Sequence, residues 1–507
     1  MIYGDMIGRW AKASPDKEAL FDAIENRRYS YEQLAREINR MAYFLQTDLG
    51  IQKGDRVACL ALNRAEYIVL FFGLGRLGAV MVPLNFRLAK NEFIYFLEDA
   101  SPRAIFFDQD HQDIVKRLKD DVRLPHYVCF DDDNTVGASL PSLWNQLPVD
   151  DLPEVVIEPQ DPQLIIYTSG TTGLPKGVLL THGMLTWNAI NTIQGWDMRS
   201  SDRTILHAAM FYTAGWNVFT LPLFSCRGSN ILIRSFEPDL ILDLMDREKV
   251  SVFFGVPTMF QMLIDSPKFA ETSFEHIRFM VSGGAPMSRD IFDIFMEQKN
   301  IRIWEGYGLT EVGPNNFMAN GKLGTIGHPM PYVDVRLIDA DGKDVEPGEE
   351  GEILLRGPNV CAGYLNKPEA TADAIRNNWF HTGDLGRIDD DGHMAIAGRL
   401  KDMFISGGAN IYPAEIERVI EAHPVVAGAA VIGVPHGRWG EVGMAIVEVK
   451  PGKSLTLEEL LDYLKDRIGK FKMPKYLEVV DELPRTPASG KIQKFVLQKK
   501  FRSRLTR

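Results

Sequence analysis

The stretch from Tyr167 to Gly177 reads YTSGTTGLPKG and gathers hydroxyls, glycines and one lysine in a single run. Ser169, Gly170, Thr171, Thr172 and Gly173 offer backbone N–H groups and hydroxyls with little side-chain bulk, and Lys176 adds a cation. A polyphosphate needs such a set: donors that can approach closely, with a positive charge beside them. The apolar run QLIIYT after Pro162 reads as a buried strand that empties into this loop. The G-x-x-x-x-G-K-[ST] loop of nucleotide hydrolases does not fit, because Pro175 precedes Lys176 and Gly177 follows it. So long and biased a run reads as phosphate-binding by another design rather than as a plain surface loop.

Three further stretches hold residues of the right type for chemistry. In WEGYGLTEVG, residues 304 to 313, Glu311 follows Thr310 in a glycine-rich turn. A carboxylate beside a phosphate loop suits Mg²⁺, which takes hard oxygen ligands together with substrate phosphates. In WFHTGDLGRIDDDGH, Asp384 sits between Gly383 and Leu385, where its carboxylate could accept two hydroxyls such as a ribose offers. Taken alone, the same residue reads as an ordinary turn aspartate. In PRTPASGKIQK, Lys491 follows Ser489 and Gly490 in a proline-bounded loop. A lone surface lysine is ordinarily solvated, and only its setting singles this one out.

The elements that must position these residues alternate between helix and strand. YSYEQLAREINRMAYFLQ has helical spacing, DRVACLAL reads as a strand, and a further helix leads into AVMVPLN. HYVCF, SNILIR, VSVFFGV and IRFMVSGG each lie near a helical run, which implies an α/β fold with mostly parallel, helix-covered sheets. Beyond about residue 320 the texture shifts to short strands and turns, with DADG as a hairpin signal. A smaller α/β unit begins after GRLKD, so the best single cut falls near residue 400.

Bulk properties narrow the function class. A chain of 507 residues exceeds one ordinary core, and 45% hydrophobic with 24% charged residues describes a soluble globular protein. A formal charge of -12 argues against a nucleic-acid partner. Cys59, Cys129, Cys226 and Cys361 lie far apart, which suggests reduced thiols and a cytoplasmic location. The N-terminus shows no basic region followed by an apolar core, so no signal peptide is expected. The segment YIVLFFGLGRLGAVMVPL is interrupted by Arg76, glycines and Pro83 and reads as a buried helix, turn and strand, not an integral membrane span.

Taken together, the order and spacing of these stretches resemble the acyl-adenylate-forming superfamily of acyl-CoA synthetases, stand-alone adenylation domains and beetle luciferases. The resemblance covers essentially the whole chain. It is carried by YTSGTTGLPKG, SGGAP at 282 to 286, YGLTE at 307 to 311, TGD at 382 to 384, GRLKDMFISGGANIYPAEIE from Gly398, and GK at 490 to 491. It implies a large N-terminal adenylation domain, 1–399, of helix-covered mixed sheets with a β-rich subdomain, and a small mobile C-terminal lid domain, 400–507. It implies ATP, Mg²⁺ and coenzyme A, with pyrophosphate released as the acid becomes acyl-AMP and the acyl group then passing to CoA. Thr168 and Glu311 match Mg²⁺ positions. Gly284, Ala285 and Pro286, with Gly306 and Tyr307, match the adenine slot, and Thr310 matches an α-phosphate contact. Asp384 and Arg399 match the ribose pair. Lys491 matches the lysine that bridges the substrate carboxylate and the α-phosphate. Lys401 matches the hinge between half-reactions, and Gly407 and Gly408 match the pantetheine contact.

For the acid pocket the family pattern P-[LM]-F-H-x-x-G/A becomes AAMFYTAGW here, with Ala209 for Pro and Tyr212 for His. Trp216 falls where some long-chain enzymes carry a gating tryptophan, and a buried core tryptophan is the alternative. Gly283 leaves room at the pocket floor, with Val256 and Phe211 as apolar walls. No Asp or Lys stands out to select an amino acid. The reading leans to a medium- or long-chain fatty acid, with an aryl acid as the alternative and Tyr212 as the departure that puts inheritance of substrate in question. A carrier-protein-loading enzyme would share every nucleotide residue, but no carrier domain with its serine motif follows in this sequence. A luciferase-like oxygenase fits less well, since the SRLTR ending lacks SKL. A non-catalytic nucleotide sensor would be expected to lack Glu311 or Lys491. Lys499, Lys500, Arg502, Arg504 and Arg507 could make peripheral contact with an acidic membrane surface, though a solvated helix end is the preferred reading, and a homodimer is a further expectation.

Overall fold

A computed structural model describes residues 3–144, 147–148, 155–168, 175–406, 409–437, 439–465, 467–486, 490 and 492–502. The chain folds as two compact units. The first takes Met1–Leu323, His328–Asp334 and Leu355–Phe380; the second takes Gly324–Gly327, Val335–Leu354 and His381–Arg507.

The first unit is built on a seven-stranded sheet in the spatial order Ala138–Ser139, His126–Cys129, Ala104–Phe107, Arg56–Leu60, Val80–Pro83, Pro162–Thr168 and Lys176–Thr181. All neighbours run parallel except the last pair, a hairpin in which Thr168 faces Lys176. Both faces are buried, which is why these strands read as continuous apolar runs rather than as alternating ones. Val57, Cys59, Met81, Phe106, Leu164 and Ile166 enter one core. Their chain neighbours Ala58, Leu60, Val82, Ile105, Phe107 and Ile165 enter another. The helix Tyr31–Tyr43 starts where the sequence offers a reciprocal cap: Gln33 N–H donates to the Ser30 hydroxyl and Ser30 N–H to the Gln33 amide. The interrupted apolar segment forms the buried helix Ala65–Leu77 and the strand Val80–Pro83. No helix among the described residues is long and apolar enough to cross a membrane.

Among the described residues this unit has three smaller sheets, the pair Phe317–Met318 with His328–Pro329 and two larger ones. Arg203–Leu206, Ser229–Leu232, Glu18–Asp22 and Arg27–Ser30 form one, parallel except for the Glu18–Asp22/Arg27–Ser30 pair. Val252–Gly255, Phe279–Ser282 and Ile303–Glu305 form the other, wholly parallel, with Gly255, Ser282 and Glu305 in register at its carboxyl end.

The second unit holds the β-rich segment. Strands Asp334–Ile338, Glu350–Arg356 and Trp379–Ile388 lie side by side, with Met394–Arg399 paired to the last. The DADG signal is a turn, in which the Asp339 carboxylate accepts from the N–H groups of Asp341 and Lys343. Because Met394–Arg399 pairs with Trp379–Ile388, this unit includes residues from 381 onward as well as everything after 400. Its second sheet centres on Gly440–Val449 and Val426–His436. Ala429, Val431, Ala445 and Val447 face the helices Pro413–Glu421 and Leu457–Leu464. Ala430, Ile432, Met444 and Ile446 face Leu497 and Phe501 of the basic helix Lys494–Arg502. The architecture is therefore the expected α/β one, with its largest sheet mostly parallel.

Candidate active site

The candidate phosphate loop joins two antiparallel strands rather than a strand and a helix. Ser169, Gly170, Thr171, Thr172 and Gly173 fall outside the described residues, but both edges of the loop are fixed. Thr168 ends the first strand and Lys176 opens the second. The Pro175 carbonyl accepts a 2.9 Å bond from the Tyr95 hydroxyl. Beyond it, the chain 362–365 runs along the second strand through Leu179 N–H to Gly363 O (2.9 Å), Ala362 N–H to Leu179 O (3.1 Å) and Leu365 N–H to Gly177 O (2.8 Å).

Glu311 stands on a one-turn 3₁₀ helix, Thr310–Val312, with Thr310 half-buried beside it. The same stretch of chain holds this turn. Asn359 donates to Val312 O (2.6 Å) and to the Asn316 side-chain oxygen (2.8 Å). Cys361 N–H donates to Glu311 O (2.7 Å), and the Tyr364 hydroxyl donates to Glu311 Oε1 (3.1 Å). The Lys176 ammonium sits 4.9 Å from the centre of the Tyr364 ring. Burial, and then the Glu311 charge, push the Tyr364 phenol well above its ordinary value, so it stays a proton donor. Burial likewise pushes the Cys361 thiol up to about 12, so it is inert here. Gly308 is required by close approach: a Cβ there would lie 2.2 Å from Gly313 O. The turn folds that tightly because Leu309 bridges back to Gly313.

The candidate adenine slot forms where three adjacent parallel strands end, the place where open α/β sheets bind ligands. Val256 follows the first, Gly283 to Pro286 the second, and Gly306 with Tyr307 the third. Gly306 N–H donates to Ser282 O (2.7 Å) and Gly283 N–H to Gly255 O (3.2 Å), which ties the three exits together. Gly284 has φ +81°, a left-handed conformation that favours glycine, and a Cβ on it would touch Val256 at 3.8 Å. Ala285 is half-buried and Pro286 exposed. The Tyr307 ring packs edge-on against Phe317.

The acid-pocket candidates separate. Phe211 is buried against Phe86, with Tyr212 beside it, and the Tyr212 hydroxyl accepts from Asn85 at 3.4 Å. Burial raises the Tyr212 phenol, which stays neutral. Trp216 is different. It is 0% exposed, stacks on Phe71 at 4.2 Å and donates its indole N–H to Met210 O at 2.6 Å. These are the surroundings of a core residue, belonging to the same cluster as Tyr67, and not those of a group at a channel mouth.

In the second unit, Arg399 Nε lies 2.9 Å from Asp384 Oδ1, across paired strands that put the two residues directly opposite. Asp384 is nearly buried, and its N–H is held by the Thr382 hydroxyl. Lys401 has its ammonium pKa lowered, by burial first and by Arg399 next. Gly407, Gly408 and Lys491 lie outside the described residues. The neighbouring Lys494 is bound to Glu417 (2.7 Å).

Sequence reasoning missed Asn359 and Tyr364, which hold Glu311 from some fifty positions away, and no local periodicity marks them. The adjacent Asn315 and Asn316 were the available signal. Two asparagines in an otherwise apolar stretch imply a buried amide network, and both are buried.

Residues 7–365 match the AMP-binding enzyme family and residues 415–491 match the AMP-binding enzyme C-terminal domain. A feruloyl-CoA synthase of an Amycolatopsis species is 38% identical over 93% of this chain and 94% of its own. A long-chain-fatty-acid–CoA ligase of Mycobacterium tuberculosis is 36% identical over 98% of each. The crystal structure of ATP-bound MatB from Rhodopseudomonas palustris superposes with a TM-score of 0.90 at 34% identity, covering 99% of each chain. The chain belongs to the AMP-binding enzyme family and is an acid–thiol ligase, an acyl-CoA synthetase of the AMP-forming kind.

Proposed function

We propose that this ligase activates a compact aryl or arylalkenoic acid, with Glu311 and Thr168 holding Mg²⁺ on the phosphates of ATP. The observation that carries the substrate reading is Trp216. The tryptophan that would gate a long acyl channel is instead packed in the core, fully buried, stacked on Phe71 and bonded to Met210 O. The likeness to a feruloyl-CoA synthase supports the same reading, and the half-buried Tyr212–Asn85 pair would provide a polar contact for a ring substituent. The fatty-acid reading is the second choice, favoured by the likeness to the mycobacterial ligase.

A substrate carboxylate oxygen attacks the α-phosphorus and pyrophosphate leaves. The CoA thiolate then attacks the acyl carbon and AMP leaves with the attacking oxygen. In the first step two anions meet, so positive charge and fixed dipoles must be in place where charge crowds. Lys491 supplies that charge between carboxylate and α-phosphate, and Thr310 donates to the α-phosphate. Lys176 and the loop of Ser169 to Gly173 take the β- and γ-phosphates. The ends of the three parallel strands take adenine, with Tyr307 against its face. Asp384, held by Arg399, accepts the ribose hydroxyls. A carboxylate and a hydroxyl are hard oxygen donors, which fit Mg²⁺ that keeps waters and phosphates as its other ligands. When bound, the ion neutralises charge on the phosphates.

The test is kcat/KM for CoA-thioester formation over ferulate, cinnamate, benzoate, octanoate and palmitate. The aryl acids should lead. A dry acyl channel would instead give about a fourfold rise per added methylene, from about 0.8 kcal/mol each. That profile would replace this reading with the fatty-acid one.

A further inference from the structure

We infer that Tyr364 is a positioning residue that sets the metal-binding carboxylate and the phosphate-loop lysine in one arrangement; this rests on the assignment of Glu311 to Mg²⁺. The argument is geometric. One short segment, 359–364, makes three bonds to the Glu311 turn: Asn359 to Val312 O, Cys361 N–H to Glu311 O, and the Tyr364 hydroxyl to Glu311 Oε1. The other edge of the same segment is zipped to the strand that Lys176 opens, through Ala362, Gly363 and Leu365. Val178 faces Tyr364 directly across that edge. Tyr364 is the residue whose side chain acts in both directions. Its hydroxyl orients Glu311, and its ring face carries the Lys176 ammonium at 4.9 Å. A carboxylate hydrogen-bonded through one oxygen has its rotation fixed, and that fixes where its metal-facing lone pairs point. A lysine resting on an aromatic face keeps its charge but loses part of its conformational freedom. The chain thus holds one cation and one anion of the polyphosphate site at a set spacing before nucleotide arrives, which lowers the ordering cost of binding.

The two functions of the ring can be separated. Tyr364→Phe keeps the face under Lys176 and removes only the hydroxyl; Tyr364→Leu removes both. The full-length protein with ATP is titrated with Mn²⁺ and followed by electron paramagnetic resonance, and ATP binding is measured separately by calorimetry in EDTA. For Tyr364→Phe, Mn²⁺ affinity in the ATP complex should fall roughly tenfold, the usual effect of removing a partner of a metal ligand. Metal-free ATP affinity should stay unchanged, and high Mg²⁺ should restore pyrophosphate release. For Tyr364→Leu, metal-free ATP affinity should fall as well. Glu311→Gln serves as the reference variant. If it weakens Mn²⁺ binding while Tyr364→Phe does not, the positioning role is wrong and the metal assignment stands. If neither variant changes Mn²⁺ binding, the metal assignment fails and the inference fails with it. Equal loss of metal-free ATP affinity in the Phe and Leu variants would overturn the division between hydroxyl and ring.

Discussion

Replacing Trp216 separates a packing role from a gating role. The side chain is fully buried, stacked on Phe71 at 4.2 Å and tilted against Tyr67 at 6.0 Å, with its indole N–H on Met210 O. Trp216→Ala removes the whole ring from a core that cannot collapse onto it, which costs about 3–5 kcal/mol. Trp216→Phe keeps most of the stacking but leaves the Met210 carbonyl unpaired, a loss of about 1–3 kcal/mol. In melting temperature the Ala variant should fall by roughly 4–7 °C and the Phe variant by a fraction of that. The assay is thermal unfolding by circular dichroism with ATP absent, alongside the acid profile for thioester formation. A packing residue lowers stability in the order Ala, then Phe, and leaves the ranking of acids intact in the surviving folded enzyme. A Trp216→Ala protein of unchanged melting temperature whose preference moves to longer chains would refute the packing argument and reopen the acyl channel.

Other consequences follow from the same geometry. Gly308→Ala forces a Cβ to within 2.2 Å of Gly313 O, so the Glu311 turn must shift; pyrophosphate release should drop by at least tenfold at fixed Mg²⁺, while a change confined to stability would contradict this. Lys491→Ala should reduce acid-dependent pyrophosphate release on the order of 10²–10³-fold and leave thioester formation from pre-made acyl-AMP largely intact; equal losses in both would remove Lys491 from the adenylation step. His207 and His182 are buried and neutral, each with its pKa lowered from 6.5 to about 4, chiefly by burial. The unfolded chain therefore takes up these protons first, so their contribution to stability is present above pH 6.5 and lost as pH falls towards about 4. His207→Gln, which keeps a donor for Phe254 O, should flatten unfolding stability against pH by about one proton over that window; an unchanged slope would place the titration elsewhere.

What could be read from the sequence divides along a physical line. The buried strands were legible because both faces of their sheets are covered, so each appears as an unbroken apolar run such as RVACL or AIFF. The candidate nucleotide motifs were legible because backbone donors must have small residues around them to approach a phosphate closely. Small residues at 169–173, 283, 284, 306 and 308 leave a local mark on the chain. The hairpin partner of Pro162–Thr168 was less visible, since KGVLLT is short and lies after a stretch whose composition points to a loop. Long-range partners were not visible at all. Tyr364 reaches Glu311 and Trp216 reaches Phe71 through tertiary packing, and no spacing in CAGYLN or YTAGW encodes either. A gating role for Trp216 rests on a resemblance at one family position; its surroundings depend on which aromatic side chains the helix Ala65–Leu77 turns towards it.

This chain activates an acid by attack of the carboxylate on the α-phosphorus of ATP and then forms a CoA thioester. Isotope transfer tests it directly. Ferulate labelled with ¹⁸O in both carboxylate oxygens is incubated with the enzyme, ATP, Mg²⁺ and CoA, and the nucleotide products are analysed by mass spectrometry. The expected products are feruloyl-CoA and pyrophosphate, with one ¹⁸O in each AMP formed. ADP and labelled orthophosphate as the products, or AMP formed without label, would contradict it.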